Sequence, residues 1–304
     1  MQKTLPKILV ITGPTASGKS DLAIQISQEK RLRENLECVI ISADSRQIYK
    51  YLDIGSGKIT KGEMRDVEHF GLDIAEPKYV GDSKYKNYTA ADWLECASLV
   101  IKKAISQNKL PIICGGTGLY IDALLYGIES NPPPDYKLRR ELENKTLTEI
   151  QNLLKEKLKD KRPDYFDSLN NSEKNNRARL IRKLEQNNHY IRSQDGTSRD
   201  LLYNAEFIIL KPEIKALQEK ISLRLEKRLI DNLLINETRD LIVNKKVDPK
   251  WLISLGLEHK YTSQYLLGEI TFEQMWENII LKSLQYAKKQ IKWNKRYENI
   301  SCLM

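Results

Sequence analysis

"ILVITGPTASGKS", residues 8–20, decides the fold. A β-branched apolar run stops at a glycine turn, and the turn matches G-x-x-x-x-G-K-[ST]. Lys7 to Thr12 reads as a buried strand and Ser20 to Glu29 as the helix after it. Between them Gly13, Pro14, Thr15, Ala16, Ser17, Gly18, Lys19 and Ser20 form a loop whose N–H groups can converge on an anion. The helix adds the positive end of its dipole, Lys19 a point charge and Ser20 a hydroxyl for Mg²⁺. Such a strand–loop–helix binds phosphate. Taken alone, it suggests hydrolysis or transfer of a nucleotide γ-phosphate.

Two more apolar runs repeat the pattern outward from this loop. "CVIISAD" (38–44) reads as a second buried strand and "LPIICGGTG" (110–118) as a third, with helical spacing in residues 88–107 between them. Strands alternating with helices predict βαβ units and a parallel sheet, with ligands bound beyond the carboxyl ends of the strands. The character changes at "NPPPD" (131–135), where consecutive prolines end any helix or central strand. A polar, Lys/Asn-rich and largely helical stretch follows. "FIIL" (207–210) returns to the sheet, and residues 213–242 form one long amphipathic helix or two. The expected architecture is an α/β, P-loop NTPase-like parallel-sheet core. Residues 1–126 and 203–304 make that core with a helical C-terminal region, and residues 127–202 make a small helical insert domain.

Composition narrows the partners. With 304 residues, 40% hydrophobic and 30% charged, the chain can bury a core without disulfides. A net charge of +9 favours a polyanionic partner, nucleic acid first, over the plainer reading of solubilising lysines. Residues 281–297 carry six Lys/Arg and no acid, with Tyr286, Trp293 and Tyr297 interleaved. Such aromatics can stack on unpaired bases, or can be the buried face of an ordinary surface helix. Cys38, Cys96, Cys114 and Cys302 lie far apart with no C-x-x-C, and Cys38 and Cys114 sit in apolar runs as core residues. His69, His189 and His259 show no metal spacing and read as structural. No apolar run is long enough to span a membrane, and no leader segment precedes the first strand, so a cytoplasmic protein is expected.

A nucleotide hydrolase needs a second strand-end carboxylate for Mg²⁺. Of the other strand ends only the second offers one, Asp44 in "SADSRQIY" (42–49). Asp44 is therefore a metal ligand, a catalytic carboxylate or a helix N-cap, and spacing does not separate these roles. Thr117 in "GGTGLY" has a hydroxyl at the mouth of the expected crevice, suited equally to a phosphate oxygen or to a cap.

"GPTASGKS", "ISADSRQIYKYLDIGSGK" (41–58), "PIICGGTGLY" (111–120), "PPPD" (132–135) and "NNRARLIRKLE" (175–185) occur together and in order. This set resembles the tRNA dimethylallyltransferases, which prenylate the N6 amine of the adenosine just 3′ of the anticodon. "LGLEHKYTSQYLLGEITFEQ" (255–274) and "YAKKQIKW" (286–293) resemble later segments of the same family, so the likeness covers nearly the whole chain. It implies that the loop holds the diphosphate of dimethylallyl diphosphate, with Mg²⁺, as a leaving group. By residue, it implies that Asp44 accepts the amine proton, that Thr117 contacts the leaving diphosphate and that Arg224 lies near it. Asp44, Ser45, Arg46, Gln47 and Thr117 would surround the extruded base. Arg139 and the run Ala178, Arg179, Leu180, Ile181 and Arg182 match positions implicated in tRNA contact, in a protein expected to act as a monomer. Asn176 and Ala178 depart from the family pattern, which favours Asp and Gln there, and Leu284 and Gln285 depart from a more polar pair. The rivals are a relative that prenylates free adenine nucleotides and a P-loop kinase or NTPase with Asp44 on the metal.

Overall fold

A computed structural model describes residues 5–128, 135–160, 162–187 and 200–300. Pro132 to Pro134, His189 and Cys302 lie outside the described residues. Contacts divide the chain into two compact units, Met1–Gly127 with Asp200–Met304, and Ile128–Arg199.

The first unit is built on a five-stranded, all-parallel sheet in the order β3-β2-β4-β1-β5. Its strands are β1 (Lys7–Thr12), β2 (Cys38–Ser42), β3 (Glu68–Phe70), β4 (Leu110–Gly115) and β5 (Asn204–Ile209). Alternation along β1 explains the layers. Ile8 and Val10 join Ile41, Ile113 and Phe207 in the cluster on one face, while Leu9 and Ile11 join Ile40, Ile112 and Cys114 on the other. A parallel sheet covered on both faces reads as continuous apolar runs, which is how β1, β2 and β4 look in the sequence. β3 was not expected: its Glu68-His69-Phe70 carries no apolar run, and it sits at the sheet edge.

Helix α1 (Lys19–Glu34) covers one face with Ala23 and Ile24. On the other face α2 (Ala90–Ser106) places Trp93, Ala97 and Ile101, and α3 (Gly118–Tyr126) places Ile121 and Leu124. α2 starts at a capping box, Thr89 with Asp92, as its sequence suits. Trp93 stacks on Tyr120 with centroids 4.7 Å apart, and its indole N–H donates to the Ser42 carbonyl at 2.9 Å. That contact pins the carboxyl end of β2 where the site is built.

In the second unit, α4 (Tyr136–Glu141), α5 (Leu147–Leu158), α6 (Tyr165–Ser168), α7 (Asn171–Lys174) and α8 (Arg177–Asn187) enclose a separate core of Leu142, Ile150, Leu154, Phe166, Leu180 and Leu184. Its buried Glu185 is shared by Arg139, at 2.6 Å, and Arg182, at 2.8 Å. Leu180 is part of the core, so its side chain is withdrawn from the surface; Ala178 and Arg179 lie on the same helix.

The chain then returns through β5 to α9 (Ile214–Leu229), α10 (Leu233–Val243), α11 (Pro249–Leu255), α12 (Leu257–Leu266) and α13 (Phe272–Asn294). The long amphipathic stretch is two helices, broken where Asp231 and Asn232 take left-handed φ values of 53° and 55°. Tyr297 just beyond α13 is fully buried, stacks on Phe207 at 5.0 Å and donates to Asp122 at 2.7 Å. Trp293 is half-buried and donates to the Tyr297 hydroxyl at 3.2 Å. Of the two readings of the basic segment, the buried-face one holds for Tyr297, which is fully buried, and in part for Trp293, which packs half-buried beside it. Lys288, Lys289, Lys292 and Lys295 remain exposed.

Candidate active site

The phosphate loop leaves β1 and enters α1 without a side-chain cap. Gly18 occupies the N-cap position at φ 85°, a left-handed conformation that costs glycine least, and no side chain bonds the first amides of the helix. The capping boxes of α2, α5 and α13 close their amides; α1 leaves them open to an anion. Lys19 is half-buried and folds back on the loop, donating to the Pro14 carbonyl at 2.6 Å. Burial pushes its ammonium down to about 8, against the opposing pull of Cys114 and Asp44.

The ends of β2 and β4 meet beside this loop. Gly115 lies so close to Ala43 that any Cβ would strike the Ala43 backbone. Beyond that contact, the Thr117 amide donates to the Ala43 carbonyl at 3.0 Å and the Thr117 hydroxyl accepts the Ser45 amide at 3.0 Å. Thr117 stands at the N-cap of α3 but makes no side-chain cap there. Asp44 begins a turn, not a helix, and accepts the Arg46 amide at 2.8 Å through Oδ1. Arg46 donates to the Leu255 carbonyl at 2.6 Å, and Gln47 accepts from the Ser42 hydroxyl and donates to the Gly57 carbonyl, both at 3.0 Å. Tyr286 of α13 faces the same corner. Burial first and the Asp44 charge second push its hydroxyl up to about 12, against hydrogen bonding with Thr117 and Gln290.

Opposite the loop, α9 and α12 supply a charged cluster. Glu258 accepts from Arg228 at 2.7 Å and lies 3.5 Å from Arg224. Burial would raise the Glu258 carboxyl, but Arg228 and Arg224 overcome it and hold it below the usual carboxylate range. His259 lies against Gly55, buried, with both ring nitrogens unpartnered; burial pushes it down to about 4, so it is neutral. Residues 53–55 are anchored by Glu237 of α10, whose carboxylate accepts three consecutive amides at 2.6–2.9 Å.

These groups line or support one cavity of about 560 Å³. It brings together Thr15 to Ser20, Asp44 to Gln47 and Arg224, as the sequence led one to expect. It adds Arg228, Glu258, His259, Tyr286 and Gln290, which the motifs did not single out as site residues. Gly13 and Pro14, the first two residues of the loop, do not line the cavity, and Thr117 acts on it through Ser45. Arg139 and residues 178–182 belong to the other unit. Among the described residues no group of three His, Cys, Asp or Glu could hold a metal by itself. One hydroxyl, Ser20, beside an open anion cradle fits a Mg²⁺ that arrives with phosphate oxygens, since this ion keeps water and substrate ligands and takes few from protein.

The sequence profile of the IPP transferases matches residues 47–297. The tRNA dimethylallyltransferase of Clostridioides difficile is 34% identical over 303 residues, covering 97% of this chain and 90% of that protein. That of Caldanaerobacter subterraneus subsp. tengcongensis is 35% identical over 304 residues, with the same coverage. Among solved structures, the tRNA delta(2)-isopentenylpyrophosphate transferase of Staphylococcus epidermidis superposes with a TM-score of 0.66 at 28% identity, covering 98% of this chain and 92% of that one. A eukaryotic dimethylallyltransferase acting on tRNA, 21% identical, shares the fold with a TM-score of 0.72 over 95% of this chain and 70% of its own. With the profile spanning most of the chain and relatives aligned almost end to end, the chain belongs to the IPP transferase family.

Proposed function

We propose that this protein is a tRNA dimethylallyltransferase. It moves a dimethylallyl group from dimethylallyl diphosphate to N6 of the adenosine 3′-adjacent to the anticodon and releases diphosphate. The observation that carries the reading is the pairing, in one cavity, of an uncapped phosphate cradle with the Asp44 carboxylate and its neighbours Ser45, Arg46 and Gln47.

Both halves of the reaction have candidates there. The C1–O bond of the donor breaks with its electron pair going to diphosphate, and the open amides of α1, Lys19 and Arg224 stabilise that charge. Mg²⁺, held by Ser20 and diphosphate oxygens, would neutralise part of the same charge. The N6 lone pair forms the new N–C1 bond. That amine is a weak nucleophile because its lone pair is delocalised into the ring, and Asp44 accepts its proton as the bond forms. Ser45, Arg46 and Gln47 form the wall beside Asp44 where an extruded base would lie. Thr117 holds the Ser45 amide and so fixes that wall. The 128–199 unit, with Arg139 and residues 178–182, is assigned to the tRNA stem-loop, and the enzyme is read as a cytoplasmic monomer.

No phosphoryl group moves in this scheme, so Asp44 needs no metal, unlike the NTPase reading. The test supplies purified protein with tRNA, dimethylallyl diphosphate and Mg²⁺ and analyses the tRNA nucleosides by mass spectrometry. Prenylated adenosine is expected; unmodified tRNA from folded protein refutes the proposal. AMP offered in competition separates the tRNA enzyme from one acting on free nucleotides.

A further inference from the structure

α13 reaches the phosphate loop from 275 residues away in the chain. The carboxamide of Gln290 is buried, with 6% of the residue exposed. Its Oε1 accepts the Thr15 amide of the loop at 2.7 Å, and its Nε2 donates to the Gly116 carbonyl at 2.9 Å. The two bonds fix which end of the amide is which: an N–H demands the oxygen and a carbonyl demands the nitrogen. A Cβ at Gly116 would collide with Gln290 Nε2, so the carboxamide packs directly on that glycine. One turn further on, Asn294 accepts the Thr12 hydroxyl at 3.2 Å, at the end of the strand that feeds the loop. One turn earlier, Tyr286 stands beside Asp44 and Thr117.

We propose that Gln290 is a positioning residue: it bolts the phosphate loop to the turn carrying Thr117, and so sets the separation between the diphosphate cradle and the Asp44 side of the cavity. The inference rests on the transferase reading above. Its chemistry is specific to a carboxamide. The loop end needs an acceptor, the turn needs a donor, and no other neutral side chain of this length supplies both. Thr15 is thereby a loop amide spoken for by protein, leaving the amides nearer α1 for the ligand. Transfer between two bound partners is steep in geometry, and a displacement of about 1 Å can cost about 100-fold.

The experiment uses the full chain with Gln290→Glu and Gln290→Met. Glu keeps the acceptor for Thr15 but sets a carboxylate against the Gly116 carbonyl; Met keeps the volume and loses both bonds. Four quantities are measured: affinity for inorganic diphosphate with Mg²⁺, kcat/KM for the donor, KM for tRNA, and thermal midpoint. Both variants are expected to bind diphosphate about tenfold more weakly and to lose about 10- to 100-fold in donor kcat/KM, with tRNA KM within about twofold of wild type. Folded variants with donor kcat/KM and diphosphate affinity near wild type overturn the proposal. So does a parallel loss for donor, tRNA and thermal midpoint, which marks general destabilisation. If Gln290→Met is not recovered folded, Gln290→Glu decides on the same readouts. Absence of transfer by the wild type would sink the transferase reading instead, while diphosphate affinity would still test the clamp.

Discussion

The Thr117 hydroxyl accepts the Ser45 amide at 3.0 Å, across 72 residues of sequence and between the ends of two neighbouring strands. The residue next to the proposed base is thus held by a side chain that does not itself line the cavity. Removing the hydroxyl strands that amide, at a cost of about 1–3 kcal/mol. Thr117→Val is expected to lower kcat by about tenfold or more, while Thr117→Ser restores most of it. Steady-state rates for the pair decide; equal rates in Val and wild type would remove Thr117 from the mechanism.

Asp44 spends one carboxylate oxygen on the Arg46 amide, which an asparagine oxygen would accept equally well. Asp44→Asn therefore preserves the turn and deletes the proton acceptor. Turnover is expected to fall by about 10²- to 10⁴-fold, the usual span for general acid–base catalysis, with diphosphate affinity little changed. Single-turnover transfer and diphosphate titration read the two effects separately. A large loss of diphosphate affinity would return Asp44 to the role of metal ligand.

Lys19 links activity to pH. Burial lowers its ammonium from 10.5 to about 8, so it is charged below that pH and neutral above it. An anionic ligand needs the charged form. Diphosphate affinity should hold at neutral pH and weaken as pH rises through about 8. Bound diphosphate favours the charged lysine and moves the transition upward. Lys19→Arg, charged throughout, should flatten that limb even if its affinity is lower. A wild-type profile of donor kcat/KM that is flat to pH 10 would exclude the assignment.

The cradle and Asp44 were legible because each lies in one contiguous stretch at a strand end, where topology alone sends ligands. Arg224 needed the family resemblance, since its helix is generically amphipathic. Gln290 and Glu258 were not legible, and Tyr286 stood out only as one of three aromatics in a basic segment. They come from helices whose pattern reports only which face is buried, and they meet partners distant in sequence: Gln290 and Thr15 are 275 residues apart, Glu258 and Arg228 are 30. Trp293 and Tyr297 of the basic segment misled for a related reason. Interleaving with lysine is what both an RNA-stacking surface and a one-sided buried helix look like, and only the contact of Tyr297 with Phe207 separates them.

Two glycines of the site should respond to alanine in opposite places. Gly115 needs space: a Cβ there would run into the Ala43 carbonyl and Cα, which are backbone and cannot rotate away. β2 and β4 pair through Ser42 and Cys114 at this point, so relief of the clash must splay the strands that carry Asp44 and Thr117. Gly115→Ala is expected to destabilise by several kcal/mol, about the cost of overpacking plus a lost ladder contact, and to abolish transfer. Gly18 needs only its backbone angle, since nothing lies within 4 Å of its missing Cβ. Gly18→Ala at φ 85° should cost about 1–2 kcal/mol, and mostly in diphosphate affinity, because the strain is relieved by rotating the amides of the cradle. Thermal unfolding and diphosphate titration of the two variants give the contrast. The reverse ranking, with Gly18→Ala the less stable and Gly115→Ala still active, would mean that the close approach of Gly115 to Ala43 does not hold in solution.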